Sequence, residues 1–161
     1  MKTKHSGFTL IELVVVITIL GILAAIALPR FADLQAQARM AKMHGAAGAM
    51  KSASALAHAV QLTNNLAPGA NVVMEGAVIG MINGYPIASR IGLAAGITSG
   101  LPTSDYAQVG AIGGGGDNTG SGTITYAPDA GHTSCTIIYT EAGVAGQYNV
   151  NATNVTAGNC A

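Results

Sequence analysis

The sequence FTLIELVVVITILGILAAIAL, residues 8–28, is long and apolar enough to cross a membrane as one helix. At 1.5 Å per residue, this segment rises about 31 Å, which matches the thickness of a bilayer core. Its polar residues are Thr9, Glu12 and Thr18, and its apolar residues cover the whole circumference of the helix rather than one stripe. Lipid or other helices must therefore surround it.

A short basic segment, residues 1–7, precedes the apolar segment and ends at Gly7. A secretory signal peptide is one interpretation, because the small residues at 24–27 resemble a cleavage site. Pro29 and a continuing helical pattern follow these residues, however, and the apolar segment is longer than a signal peptide requires. Cleavage at 24–27 is the weaker interpretation.

The residues from Lys2 to Ile17 resemble the class III leader of type IV prepilins and the related pseudopilins. In that family, a prepilin peptidase cuts after a glycine on the cytoplasmic side of the membrane and methylates the new N-terminal residue. The resemblance implies cleavage after Gly7, N-methylation of Phe8 and an assembly role for Glu12. It also places the N-terminus in the cytoplasm and the C-terminal part outside.

Glu12 is costly within an apolar helix, at about 3 kcal/mol for an acid at membrane depth. Cleavage after Gly7 would give Phe8 a free amine, and a nearby cation is the simplest way to stabilise a carboxylate in hydrocarbon. The resemblance implies that Glu12 of one subunit pairs with the Phe8 amine of a neighbouring subunit. Pairing within one chain and a protonated, inert Glu12 are the alternatives.

Gly21 and Pro29 match the family's pair of helix-breaking residues. Proline lacks the amide that would bond to the carbonyl four residues earlier, so the helix should kink or open just ahead of Pro29. A simple bend is one interpretation of this pair. The resemblance implies that residues 21–29 lose helicity in an assembled filament and lengthen the subunit.

The resemblance implies an α+β fold, in which a long N-terminal helix packs on a small C-terminal antiparallel sheet. We divide the chain into a leader at 1–7, an apolar half-helix at 8–28, an amphipathic half-helix at 29–61 and a globular domain at 62–161. The inner stripe of the amphipathic half is rich in Ala and Gly, which allows neighbouring elements to approach its backbone closely.

Turn residues and apolar runs predict the elements of the globular domain. We expect strands at 71–74, 77–82, 123–126, 135–140 and 147–151, a turn at Asn83-Gly84 and a short helix at 89–95. The last three strands should form an antiparallel meander.

Cys135 and Cys160 lie in the half of the chain that we expect to be exported, where oxidising conditions favour a disulfide. Closing a loop of about 26 residues with this bond would raise the free energy of unfolding by roughly 3–4 kcal/mol. The resemblance implies that the bond clamps a C-terminal loop to the sheet, and two free thiols are the alternative.

Three short patches resemble pilins of the mannose-sensitive haemagglutinin (MSHA) type more particularly. They are Pro29–Arg39, Asn83–Pro86 and Cys135–Ala142.

The composition indicates a packing subunit rather than a catalyst or a nucleic-acid reader. Charged residues make up 9% of the chain and the formal net charge is zero, so no broad basic field is available for a phosphate backbone. Three basic residues of the helix are expected to form a solvated or subunit-facing side: Arg39, Lys42 and Lys51.

No catalytic constellation, metal site or cofactor site is expected from the motifs. The histidines lack metal-ligand spacing, and the glycine-rich stretch at 113–122 lacks a Walker lysine. A flexible surface loop is the simpler interpretation of that stretch, with weak room for a calcium ion at Asp117 and Asp129. Assembly and retraction would need separate ATPases, since nothing in the sequence predicts nucleotide binding.

These features predict a structural subunit that waits in the inner membrane and then polymerises into an extracellular filament with copies of itself. Attachment, motility or aggregation would be properties of the polymer. A pseudopilin of a type II secretion system is the nearest alternative. A single-span protein that displays a periplasmic binding domain is an alternative of another class.

Overall fold

A 54-residue helix, α1 (Leu10–Thr63), dominates the computed structural model, which describes residues 8–97, 99, 104–113, 122–144 and 146–161. Thr9 caps its N-terminus and Asn64 its C-terminus, so the helix runs two residues beyond the predicted end at 61. At 1.5 Å per residue, α1 is about 80 Å long.

The two halves of α1 differ in what covers them. No residue from Phe8 to Gln35 is buried, whereas one face of the helix is buried from Ala36 onward. The buried face is almost entirely small or flexible: Ala36, Met43, Ala46, Ala47, Met50, Ala53, Ser54, Ala57 and Gln61. The first half of the helix therefore projects from a globular domain that is built on the second half.

Two short hairpins and a helix follow α1. The first hairpin joins β1 (Val72–Met74) to β2 (Ala77–Ile79), and the second joins β3 (Met81–Ile82) to β4 (Tyr85–Pro86). The predicted turn between β3 and β4 is present, with φ of 48° at Asn83 and 91° at Gly84. Helix α2 (Ala88–Ala94) comes next, one residue earlier than predicted.

The main sheet has four antiparallel strands in the order β5-β6-β7-β8. They are β5 (Ala107–Gln108), β6 (Thr123–Ala127), β7 (Ile137–Thr140) and β8 (Asn149–Asn151). The predicted meander of the last three strands is confirmed, although β7 and β8 each begin two residues later than expected. Strand β5 was not predicted, because two residues are too few to show an alternating pattern.

The core lies between the inner face of α1 and the sheet. Met43 and Met50 of the helix belong to the same buried cluster as Ile124, Ile137 and Tyr139 of the sheet. The small side chains of α1 allow this close approach. The predicted inner stripe of Ala and Gly is wrong for glycine, because Gly45 and Gly48 are exposed and the buried face carries Ala and Met instead. The α+β fold is confirmed: a long N-terminal apolar helix and a C-terminal antiparallel sheet.

Candidate assembly site

The N-terminus of α1 is closed by a capping box. The backbone N–H and the hydroxyl of Thr9 donate to Glu12 Oε2 at 2.9 and 2.6 Å, and the Glu12 N–H donates to Thr9 Oγ1 at 3.3 Å. Each residue thus satisfies an end group that the helix leaves without a partner. Sequence analysis missed this role of Glu12, although Thr9-Leu-Ile-Glu12 has the spacing of the motif.

The capping box leaves part of Glu12 available. Both bonds from Thr9 go to Oε2, and Oε1 accepts no hydrogen bond from the described residues. Phe8, whose amine would be created by cleavage after Gly7, directly precedes the cap and is 83% exposed. Gly7 itself lies outside the described residues.

The apolar half-helix has no cover in the monomer. Its large side chains are exposed along its whole length, from Leu10 at 81% to Leu28 at 69%. The most apolar 18-residue window of α1 has a mean hydropathy of 2.8, and none of it is buried. By length and composition this helix could cross a membrane.

Helix α1 does not open at Pro29. It is continuous from Leu10 to Thr63 with Pro29 inside it. Of the two expected outcomes, a kink or an opening ahead of Pro29, the opening does not occur in the isolated chain, because a single missing amide does not end the helix. A Cβ added at Gly21 would meet no other atom within 4 Å, so packing within the subunit does not require a glycine there.

A polar cluster fastens α1 to the loops of the globular domain. Arg39 donates to the carbonyl of Cys160 at 3.0 Å, and its Nε lies 3.5 Å from Asp129 Oδ2. His132 Nδ1 lies 2.6 Å from Asp129 Oδ1. The hydrogen bond from His132 is the main cause that lowers the pKa of Asp129, and the Gly131 N–H and Arg39 act in the same direction. Asp129 is thus held as a carboxylate that joins the helix to the loop after β6.

Lys42 forms a second attachment of α1 to the sheet. Its Nζ donates to the carbonyls of Asp105 and Pro128, the latter at 2.8 Å, and lies 4.5 Å from the centre of the Tyr106 ring. The expectation that Arg39 and Lys42 form a solvated or subunit-facing side is therefore wrong, since both bind the globular domain. Lys51, the third basic residue of that set, is exposed.

A disulfide joins Cys135 to Cys160 and closes the C-terminal part of the chain. Both cysteines are fully buried and belong to the main core cluster. Cys135 lies two residues before β7, so the bond attaches the C-terminal loop to the start of this strand. Through the Cys160 carbonyl, the same loop reaches Arg39 of α1.

The other candidate polar residues have structural partners. Within the described ranges, no group of three or more His, Cys, Asp or Glu side chains could hold a metal ion. Asp129 is occupied by His132 and Arg39, while Asp117 and most of the glycine-rich stretch, residues 114–121, lie outside the described residues. His58 stacks on Tyr85 with ring centres 4.6 Å apart and bonds to the Gly84 carbonyl at 2.8 Å.

The N-terminal segment matches a known protein family. Residues 2–28 match the family described as the prokaryotic N-terminal methylation motif. This match covers the capping box and the uncovered apolar half-helix, including Gly7, Phe8 and Glu12.

Individual relatives are pilins and fimbrial proteins. The chain is 59% identical over 54 residues to the type IV narrow pilus major component PilA5 of Thermus thermophilus, covering 34% of this chain and 47% of that protein. It is 51% identical over 53 residues to the fimbrial protein EcpC of Eikenella corrodens, covering 33% and 35%. It is 44% identical over 72 residues to a fimbrial protein of Neisseria meningitidis, covering 43% and 42%.

The chain thus spans less than half the length of these curated relatives. No solved structure gives a significant match. The sequence similarity supports the type IV pilin superfamily.

Proposed function

We propose that this chain is a structural, non-enzymatic subunit of a type IV pilus filament, most similar to pilins of the MSHA type. The precursor is anchored in the inner membrane, cleaved after Gly7 by a prepilin peptidase and methylated on Phe8. Separate ATPases drive its assembly into a surface filament that serves attachment, motility or aggregation. The observation that carries the proposal is an apolar half-helix with no cover, joined to a disulfide-closed domain and preceded by a methylation motif.

Glu12 docks each incoming subunit in this proposal. Its Oε1 is free to accept a bond from the Phe8 amine of a neighbouring subunit while Oε2 keeps its bonds to Thr9. The pair would form among the apolar side chains of bundled helices, where leaving either charge alone is costly. The two groups therefore set the axial position of one subunit against the next.

The outer face of α1 supports close packing between copies. Gly45 and Gly48 are exposed, and a Cβ at either position would meet nothing within 4 Å in the subunit. Each costs the helix about 1 kcal/mol relative to Ala, and the fold of the subunit does not explain that cost. Contact with the backbone of a neighbouring helix would explain it.

In the assembled filament, residues 21–29 lose helicity and lengthen the subunit, since Pro29 already removes one helical bond there.

N-terminal analysis of sheared surface filaments tests the processing step. Filaments of this chain should begin at Phe8 and carry a methyl group on its amine, as read by mass spectrometry. A full leader on the exported protein, together with the absence of a polymer, would instead indicate a single-span protein with a periplasmic domain.

Two substitutions separate docking from capping. Glu12→Gln keeps the hydrogen-bonding side chain of the capping box but removes the charge, so processing and insertion should continue while filaments are lost. Thr9→Val is the matched control, because it removes the cap and keeps the carboxylate, and it should still assemble. Abundant filaments from Glu12→Gln would refute the docking role.

The size of residue 48 tests the packing of the bundle. Gly48→Ala and Gly48→Leu should both fold, since the position is open in the subunit and both residues favour a helix. Filament yield should fall with the larger side chain alone. Equal yields from both variants would show that no neighbour approaches this face.

A further inference from the structure

Arg30 and Asp33 are two exposed charges of α1. Neither side chain has an ion-pair or hydrogen-bond partner among the described residues. The apolar side chains beside them, Leu28, Phe31 and Leu34, are also exposed. If copies of this helix cover that apolar surface, both charges lose water and each needs an opposite charge.

The spacing of these charges repeats the spacing at the start of the helix. Glu12 follows Phe8 by four residues, or about 6 Å along the axis, and Asp33 follows Arg30 by three residues, or about 4.5 Å. In both pairs the base comes first. One axial displacement of a neighbouring copy would therefore bring both acids level with both bases.

We propose that Arg30 of one subunit pairs with Asp33 of the next, and that this second ion pair fixes the register of the filament together with Phe8 and Glu12. The inference rests on the proposed function, because it needs neighbouring copies of α1. The partner is a second copy of this chain, which is recognised by charge complementarity at the C-terminal end of the apolar half-helix.

The charges also lie on compatible sides of the helix. Phe8 and Arg30 are 22 residues apart, which is about 6.1 turns, and Glu12 and Asp33 are 21 residues apart, which is about 5.8 turns. The two bases thus share one side of a continuous helix, as do the two acids. This angular agreement belongs to the continuous helix of the isolated chain. The axial agreement is retained when residues 21–29 lose helicity, because any lengthening there is the same in every copy.

The other basic residues of α1 are either bound within the globular domain or too far away to meet Asp33 of a neighbouring copy. Arg39 is held by Asp129, and Lys42 by the carbonyls of Asp105 and Pro128. Lys51 is 18 residues beyond Asp33, about 27 Å along the axis, which is far from the displacement of about 6 Å set by Phe8 and Glu12. Among the basic residues of α1, Arg30 is therefore the partner that Asp33 of a neighbouring copy meets.

Charge reversal tests the pair in cells that assemble the full chain. Arg30→Glu and Asp33→Arg should each lower the yield of sheared filaments about tenfold, because like charges would face each other at every contact. The combined variant restores opposite charges and should recover most of the yield. Arg90→Glu is the matched control, since Arg90 is exposed on α2 and lies outside the helix contact.

Cross-linking distinguishes a pair between copies from a pair within one helix. One chain carries Arg30→Cys and a second chain carries Asp33→Cys, and both are co-expressed with the wild-type chain. The filaments are then treated with a short bismaleimide. The native cysteines are joined to each other, so the new thiols are the reactive ones. Dimers should form between the two variants and not between Asp33→Cys and an Arg90→Cys control.

The outcomes separate this inference from the function on which it rests. Absence of filaments from the wild-type chain would refute the proposed function. Wild-type filaments together with normal yields from both single reversals would overturn the Arg30–Asp33 pair alone. Failure of the combined variant to recover, a loss of yield in Arg90→Glu, or absence of the cross-linked dimer would also overturn it.

Discussion

At the scale of single residues, buried polar side chains connect segments that are distant in the sequence. Glu141 is buried, and its carboxylate accepts the Ala88 N–H at 2.7 Å and the Gly122 N–H at 3.1 Å. It therefore supplies the cap that α2 lacks, because Ile87 at the N-cap has no side-chain acceptor. The Tyr139 hydroxyl donates to the Pro86 carbonyl at 2.6 Å, and burial raises the pKa of Tyr139.

Asp129→Asn tests the charge that links α1 to the loop after β6. The pKa of Asp129 is below its ordinary value of 3.8, so its carboxylate stabilises the fold above that pH and the effect is lost as pH falls through the lowered pKa. We expect a lower Tm at pH 7, by about 1–4 °C for a pair worth up to about 1 kcal/mol. The difference from wild type should vanish in acid, where Asp129 is neutral.

Thermal unfolding of the detergent-solubilised chain, followed by circular dichroism, measures this effect. Asp33→Asn is the control, since Asp33 has no partner among the described residues and its loss should leave the Tm unchanged. Equal Tm values for Asp129→Asn and wild type at pH 7 would contradict the role of the cluster.

At the scale of the elements, α1 is both scaffold and interface. Its inner face carries Ala and Met, which let the sheet approach closely, and its outer face carries Gly45 and Gly48, which leave the backbone open. Lys42 and Arg39 lie between these faces and fix the edge of the sheet and the C-terminal loop to the helix. The second half of α1 is thus held by the globular domain, whereas its first half is exposed.

Lys42→Met tests the attachment of the edge strand β5. Methionine keeps an unbranched chain but cannot donate to the carbonyls of Asp105 and Pro128, which should cost about 1–2 kcal/mol. We expect a lower urea midpoint and faster hydrogen exchange in β5. Lys51→Met is the matched control, because the Lys51 side chain is exposed and its backbone carbonyl, which accepts from Tyr148, remains. Similar losses in both variants would contradict a specific attachment.

At the scale of the whole molecule, the globular domain is packed and joined by a disulfide, whereas the N-terminal half of α1 is exposed. The disulfide and the core hold the globular domain together, whereas the large apolar side chains between Phe8 and Leu34 are exposed. An exposed apolar surface of this length is costly in water, and by length and composition this helix could cross a membrane.

Replacing both cysteines by Ala tests how far the disulfide stabilises the globular domain. Its sequence separation of 25 residues predicts a loss of about 3–4 kcal/mol in the free energy of unfolding. Chemical denaturation of the detergent-solubilised chain should show this loss, and a reductant should destabilise the wild type while leaving the variant unchanged. Unfolding curves that coincide without reductant would contradict this prediction.

The sequence by itself determined the features that are encoded locally. The length and apolarity of residues 8–28 and the Asn83-Gly84 turn depend on neighbouring residues, so pattern and chemistry were enough to predict them. The leader pattern around Gly7 and Phe8 is also local, and it was recognised by its resemblance to a known family. The meander was also predictable, because its strands are consecutive in the chain. The capping box of Thr9 and Glu12 was readable at the same level but was overlooked.

Only the tertiary structure decided which polar side chains meet. Arg39 and Cys160 are 121 residues apart, and Glu141 and Ala88 are 53 residues apart, so no local pattern links them. The sequence showed Arg39 and Lys42 as basic residues of an amphipathic helix, and the fold placed backbone carbonyls beside them. A long-range contact depends on how whole elements pack, and that packing fixed these partners. It left Arg30 and Asp33 without partners among the residues that the structure describes.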